Sequence, residues 1–487
     1  MGAEIKNLKP NLLWENFYNI TQIPHPSKHE EKIRAFLVDF GKNLGLETLV
    51  DGVGNVIIKK PATAGKENLK TVVLQAHMDM VPQKNSDKEH NFETDPIETI
   101  IGDDGWMRAN GTTLGADNGI GVAAAMAVLQ DNSIEHGPIE VLITTDEETG
   151  MTGAFGLDEK ILNGDILLNL DSEDYGELYV GCAGGLDGNF VFKYKEEEIP
   201  FESDTYKLSV IGLKGGHSGM DIVLGRGNAN KIMLRVLTEI KKELDIRLVE
   251  VDGGSLRNAI PREAFVVLAA PKNSSEPLKQ KVLEMFDIIS SELSETEPDM
   301  KFKVEPAPVA TKAIEQKVAD NFIKAAYACP NGVIRMSDDF EGLVETSNNM
   351  AIMKSESGEI NIKCLMRSSV DTAKEDLAEM MKSVFDLAGA KTEFSGGYPG
   401  WKPNMKSPIL KTMQDVYKNM TGETPEIKAI HAGLECGILG SHYPNWDMIS
   451  FGPTIRFPHS PDEKVDIASV EKFWDYLLET LKNIPTK

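Results

Sequence analysis

Four short aliphatic runs alternate with helical stretches over the first third of the chain, and few folds accommodate that pattern. They are "NVIIKK" (55–60), "TVVLQA" (71–76), "IEVLITT" (139–145) and "DILLNL" (165–170), with "GIGVAAAMAVLQ" (119–130) among the intervening segments. Runs this short, rich in β-branched residues and leucine, form buried strands. Buried strands separated by helices predict an α/β layer: a mixed, largely parallel sheet covered by helices. Upstream, "IPHPSKHEEKIRAFLVDFGKNLG" reads as an amphipathic helix that Ser27 caps and that ends near Gly45.

The chain has 487 residues, too many for one core, so two or three domains are expected. Residues 187–395 have their own rhythm. Strand "YKLSVIGL", helix "NANKIMLRVLTEIKKEL", strands "IRLVEVDG" and "AFVVLAA", helix "LKQKVLEMFDIISSEL" and strand "KFKVEPAP" follow the split β-α-β order of a ferredoxin-like α+β domain. A looser second set follows, from helix 312–328 to helix "TAKEDLAEMMKSVFDLAG", and suggests a doubled domain without a residue-level repeat. The simplest plan inserts residues 187–395 between two parts of a catalytic domain, 1–186 and 396–487.

Charge and composition narrow the partners. A net charge of −25, from 51 basic and 76 acidic side chains, repels phosphate backbones and anionic lipid, so neither nucleic acid nor membrane is an expected partner. No apolar run approaches a bilayer span and no secretory leader is evident, which points to the cytoplasm. Gly2 follows Met1, but Lys6 stands where a myristoylation signal needs Ser or Thr. Cys182, Cys329, Cys364 and Cys436 are widely spaced and form no C-x-x-C pair, so neither a disulfide framework nor a thiolate zinc site is indicated.

The polar residues just beyond the strands carry the chemistry. His77 and Asp79 follow "TVVLQA", Glu147 and Glu148 follow "IEVLITTD", and Asp171 closes "DILLNL". Carboxyl ends of strands in an open α/β sheet are where ligands gather, so these residues converge although they are far apart in sequence. Asp117, in "GTTLGADNGIG", precedes a helix in a loop whose Gly115, Gly119 and Gly121 permit close backbone approach. A lone His-x-Asp is more often structural, and a Glu-Glu pair is usually solvated. Their joint placement at one sheet edge favours a divalent metal site instead, because imidazole and carboxylates without thiolate suit zinc, manganese or cobalt. One glutamate of the adjacent pair can then bind metal while the other takes a proton from water.

Eight motifs in order, "LQAHMDMVPQ", "GTTLGADNGIG", "TTDEETGMTGA", "NLDSEDYGELYVGCAGG", "GGHSG", "LRNAIPRE", "HAGLECG" and "FGPTIRFPHSPDE", resemble the aminoacyl-histidine (Xaa-His) dipeptidases. These belong to a wider family of co-catalytic zinc peptidases that includes carnosinases, peptidase T and aminoacylases. The resemblance spans nearly the whole chain and implies a metallopeptidase binding two Zn²⁺, with Co or Mn as substitutes. By motif it implies that Asp117 bridges the ions, His77 and Asp171 hold one, and Glu148 and His459 hold the other. Glu147 would be the general base, Asp79 would orient His77, and His217 would reach the oxyanion. Asn258 and Arg367 would hold the substrate carboxylate, and Glu435 is the candidate for its amine. Asn118 stands where many relatives have aspartate, and the peptide before it is expected to be cis. The substrate implied is a small peptide such as carnosine. Alternatives are a broader dipeptidase, an aminoacylase or carboxypeptidase, or a non-catalytic peptide-binding protein. In relatives the inserted domain, a lid, often mediates a homodimer, whereas a doubled lid acts within one chain.

Overall fold

The computed structural model describes residues 3–487; Gly2, the residue a lipid would modify, lies outside them. Two compact units result, one of residues 1–181, 403–429 and 434–487 and the other of residues 182–402 and 430–433.

The first unit is built on an eight-stranded sheet. Its spatial order is Glu47–Val50, Val56–Lys60, Ile139–Thr144, Val72–His77, Ile166–Asn169, Asp447–Ser450, Glu177–Cys182 and Glu426–Ile430. The four central strands are parallel, and the flanking pairs through Val56–Lys60 and Glu177–Cys182 are antiparallel. Every residue of Val72–His77 and of Ile139–Thr144 is buried, as expected of strands covered on both faces. Each fully buried Val, Leu or Ile there contributes roughly 1.5–3 kcal/mol. Helix Ala116–Gln130 is apolar on all sides and packs on strand Val72–His77 and helix Asn11–Thr21, which is why it shows no polar face.

Register places the site. His77 lies opposite Thr144, Gln75 opposite Asn169, and Asn169 opposite Ser450. The central strands therefore end at nearly one level, and the segments leaving them begin side by side. A four-stranded antiparallel sheet with spatial order Ile455–Arg456, Lys464–Asp466, Trp106–Ala109 and Thr99–Ile101 then anchors both ends of the loop that bears His459.

Ser27 does not cap the helix that follows it. That helix runs Glu31–Asn43 after Glu30, which makes no side-chain capping bond, and the Ser27 hydroxyl instead donates to Asp79 Oδ2 at 2.8 Å. The hydroxyl serves as donor to a buried carboxylate, a charge-assisted bond, instead of accepting an N–H of the helix start.

The second unit holds a nine-stranded antiparallel sheet, eight strands of which run Lys301–Pro306, Ser203–Ile211, Ala264–Pro271, Arg247–Gly253, Val344–Glu356, Glu359–Ser368, Gly184–Lys193 and Lys391–Tyr398. The ninth, Gly332–Met336, pairs with Val344–Glu356. The first four strands, with helices Ala229–Glu243 and Ser275–Glu292, form one ferredoxin-like set in spatial order fourth, first, third, second. The other four, with helices Gln316–Ala328 and Asp371–Leu387, form the same set in mirror order along the sheet, so the domain is doubled. The two sets meet where Asp252 pairs with Lys354 and Gly253 with Met353. The second set takes its first strand, Gly184–Lys193, from before the first set, so one copy is inserted within the other.

Candidate metal centre

His77 ends its strand with a fixed tautomer. Its Nδ1 lies 3.0 Å from the Asp79 carbonyl oxygen, which can only accept, so Nδ1 carries a proton. The Asp79 carboxylate is farther from the ring, with Oδ1 at 3.5 Å. Asp79 thus orients His77 chiefly through its backbone, while its side chain accepts the backbone N–H groups of Glu147 (3.0 Å) and Glu148 (3.2 Å). One buried aspartate therefore ties the histidine to the glutamate pair.

The other ring nitrogen faces two carboxylates. His77 Nε2 is 3.1 Å from Asp117 Oδ1 and 3.3 Å from Asp171 Oδ1. Asp117 turns its second oxygen to His459, whose Nε2 is 3.2 Å from Asp117 Oδ2 and 2.9 Å from Glu148 Oε2. A neutral imidazole in the tautomer that Asp79 imposes would point a lone pair at carboxylate oxygens. Only a proton or a metal ion between them makes that arrangement favourable.

Two sets of donors suited to one ion each, His77–Asp117–Asp171 and Asp117–Glu148–His459, share Asp117. Asp171 Oδ1 and Glu148 Oε1 are buried without a hydrogen-bond partner. Nitrogen and oxygen donors without sulfur, together with these two orphaned oxygens, fit a pair of divalent cations.

The local electrostatics agree. Burial raises the Asp171 carboxyl, His77 opposes it, and Asp117 and Glu148 add to it, for a net rise to about 6. The Glu147 carboxyl is held well above the usual range by burial, with Asp171, Glu435 and Glu148 adding and His77 opposing. Hydrogen bonds to Asp117 and Glu148 raise His459 to about 11. This crowd of carboxylates is the environment that metal cations relieve.

Asp117 stands at a break in its helix: it and Asn118 depart from helical backbone, and the peptide between them is cis. Asn118 donates its amide to the Leu170 carbonyl at 2.8 Å, a bond an ionised aspartate cannot make, which explains asparagine here. A side chain at Gly121 would meet both partners, since its Cβ would lie 2.4 Å from Asn118 Oδ1 and 2.7 Å from Leu170 O.

A model of peptidase family M20/M25/M40 matches residues 73–483. The chain belongs to this family of peptidases. It is 49% identical to the cytosol non-specific dipeptidase of Escherichia coli (strain K12) over 485 residues, covering 100% of both chains. The crystal structure of an aminoacylhistidine dipeptidase from Vibrio alginolyticus matches with 52% identity and a TM-score of 0.96, covering 100% of this chain and 99% of that one. The aminopeptidase PepT of Bacillus cereus shares 18% identity, covers 98% of this chain and 99% of its own, and has a TM-score of 0.57, a likeness of fold alone. The resemblance read from the eight motifs therefore holds at the level of the family, and no described helix of this peptidase is long and apolar enough to cross a membrane.

Glu435 of the M20 chain is buried at the start of helix Glu435–His442. Its Oε2 accepts from Gln75 Nε2 (2.6 Å) and Thr144 Oγ1 (2.8 Å), and its Oε1 is unpartnered. In the second unit, His217 Nδ1 accepts the N–H groups of Gly219 (3.2 Å) and Met220 (3.1 Å), which leaves Nε2 as the donor. His217 pairs in a two-residue ladder with Ala259, next to the exposed Asn258, whose carbonyl accepts from Ser218 N. Arg367 is buried, donates to Tyr398 Oη (3.0 Å) and Ser218 Oγ (3.4 Å), and has no carboxylate within ion-pair distance among the described residues. His431, bonded to Ser347 Oγ at 2.7 Å, is pushed down to about 3 by burial and the Arg367 charge.

Sequence reasoning missed two carboxylates of the first unit. Burial, with Asp117 and Asp171, raises Glu173 to about 8. Glu463 is buried against the turn that bears Asp117. The sequence offers one signal for each: Glu173 lies two residues past Asp171, and Glu463 ends the "FPHSPDE" motif.

Proposed function

We propose that this peptidase is a cytosolic, dinuclear zinc dipeptidase that hydrolyses Xaa-His dipeptides such as carnosine. The observation that carries the reading is the pair of imidazole Nε2 atoms, on His77 and His459, each aimed at two carboxylate oxygens with Asp117 common to both. Asp117 would bridge two ions, His77 and Asp171 would complete one, and Glu148 and His459 the other. Bound there, divalent cations would supply Lewis acidity, polarising the scissile carbonyl and acidifying a water.

The chain's own residues would do the rest. Glu147, left out of both ligand sets, accepts the proton of the attacking water and passes it to the leaving amine. His217 donates from Nε2 to the oxygen of the tetrahedral intermediate. Asn258 and Arg367 take the substrate's carboxylate, a role supported by a buried guanidinium with no carboxylate partner among the described residues. Glu435, with one buried oxygen unpaired, takes the substrate's amine. The inserted domain, residues 187–395 of the sequence plan, is read as the substrate-recognising lid, and homodimerisation through it belongs to the same proposal.

A second reading, a dipeptidase without histidine preference, is favoured by the name of the Escherichia coli relative. Both are tested by stripping the protein with chelator and measuring hydrolysis of carnosine, other Xaa-His and non-His dipeptides with and without added zinc. Zinc-restored cleavage favouring histidine supports the first reading, equal cleavage of other dipeptides supports the second, and no cleavage of any peptide sinks both. Arg367→Met is expected to raise KM for free dipeptides by at least tenfold, in line with the roughly 1.5–3 kcal/mol of a hydrogen bond to a charged group, while sparing C-terminally amidated ones. An equal loss on both substrates would remove Arg367 from carboxylate binding.

A further inference from the structure

The loop that bears His459 ends on a carboxylate that belongs to neither donor set. Glu463 is 2% exposed, and no cationic side chain among the described residues lies within ion-pair distance of it. Its two oxygens accept four consecutive backbone N–H groups: Oε2 from Leu114 (2.6 Å) and Gly115 (3.0 Å), Oε1 from Ala116 (2.8 Å) and Asp117 (3.2 Å). These N–H groups surround the entry to helix Ala116–Gln130, where Gly115 sits in the left-handed region at φ +70°. Helix entries leave such donors without internal partners, and bonds to an ionised acceptor are about twice as strong as neutral ones.

Glu463 is also fixed to the other side. Its own N–H donates to the Ser460 carbonyl at 3.0 Å, which closes the turn immediately after His459. One carboxylate therefore clamps the turn bearing Asp117 to the loop bearing His459, and these two residues belong to the same three-residue donor set.

We propose that Glu463 is a positioning residue that holds Asp117 and His459 at the separation one metal ion requires. It makes no contact with the ion. The proposal rests on reading the cluster as a metal centre, and it specifies which of the two ions depends on Glu463. A helix cap that served stability alone would weaken the fold and leave both ion affinities where they were. Losing a positioning clamp loosens the Asp117–Glu148–His459 site, to which both clamped segments contribute, far more than the His77–Asp117–Asp171 site, which draws on only one of them.

The test uses chelator-stripped full-length protein, titrated with Zn²⁺ against a chromophoric competitor, with His459→Ala identifying which binding step involves the His459 site. Glutamine keeps one acceptor oxygen and points an N–H₂ group at backbone donors. Glu463→Gln should therefore weaken the His459-dependent step about 10- to 100-fold and the other step by less than about threefold, in the range seen when partners of metal ligands are replaced. Glu463→Asp, which keeps the carboxylate, should fall between, and it decides by the same criterion if the glutamine variant does not fold.

Asp447→Asn is the control. Asp447 caps helix Pro408–Thr421 through Ile409 N (2.9 Å) and Ser407 Oγ (2.5 Å), at the start of its strand rather than the end nearest the cluster. It should lower the melting temperature with both ion affinities retained. Unchanged binding by the Glu463 variants, equal weakening of both steps, or the same selective loss in Asp447→Asn would overturn the proposal. If the wild-type protein bound no Zn²⁺, the metal-centre reading itself would fail, a different result from two ions bound regardless of Glu463.

Discussion

With Glu147 as the proposed general base, Glu147→Gln is expected to lower kcat for a dipeptide by about 10²- to 10⁴-fold, the usual cost of removing a general acid–base group, with the metal content of the wild-type protein retained. Glutamine has nearly the same shape and retains the backbone N–H that Asp79 accepts, so the loop remains in place. What disappears is the carboxylate to which the proposed function gives the proton-accepting role. Burial and the surrounding carboxylates hold the Glu147 carboxyl well above the ordinary carboxylate range, which suits a group that must take up a proton and release it near neutral pH. Metal content measured beside kcat separates the possible roles, because Glu147 also lies within reach of His77 and Glu148 as a potential ligand. Retained kcat with weakened zinc binding would make Glu147 a ligand and reject it as the base.

Asp79→Ala should damage both activity and stability. It strands three donors, the backbone N–H groups of Glu147 and Glu148 and the Ser27 hydroxyl, around a side chain that is itself buried. Buried donors left unpaired cost about 1–3 kcal/mol each, so a loss of about 3 kcal/mol or more is expected in urea unfolding of the metal-free protein. The His77 tautomer should largely survive, since the backbone carbonyl that sets it remains. Zinc affinity should therefore fall less than kcat, which suffers from the released Glu147–Glu148 turn. An alanine variant that unfolded at the wild-type urea concentration would show that Asp79 does not hold this turn.

The sheet edge was legible because strands announce themselves by composition and end abruptly. His77 and Asp171 stand at or within two residues of the end of a buried strand and Glu148 follows its own strand by four, and the parallel register brings those strand ends level. His459 carried no such signal: it follows a short strand, and only the motif around it pointed to it. Glu463 had only its place at the end of that motif to point to it, since its partners are backbone N–H groups, which every residue but proline possesses. Ser27 misled because a serine before a helix usually caps it, and nothing local showed that Asp79 would be close. The doubled lid was half legible. Its first copy is contiguous and reads as a ferredoxin-like set, but the second begins before the first and resumes after it, leaving no continuous repeat to detect.

That interleaving has a consequence for synthesis. Strand Gly184–Lys193 lies between Glu359–Ser368 and Lys391–Tyr398 and pairs with both. It leaves the ribosome with neither neighbour made. At roughly 5–20 residues per second it waits on the order of ten seconds or more for the first of them. During that interval the copy inserted after it can fold as a unit, because its four strands and two helices are contiguous. We predict that nascent chains stalled before residue 359 protect the inserted copy from protease while residues 184–193 remain open to cleavage; equal protection of both would show that the strand finds a temporary partner.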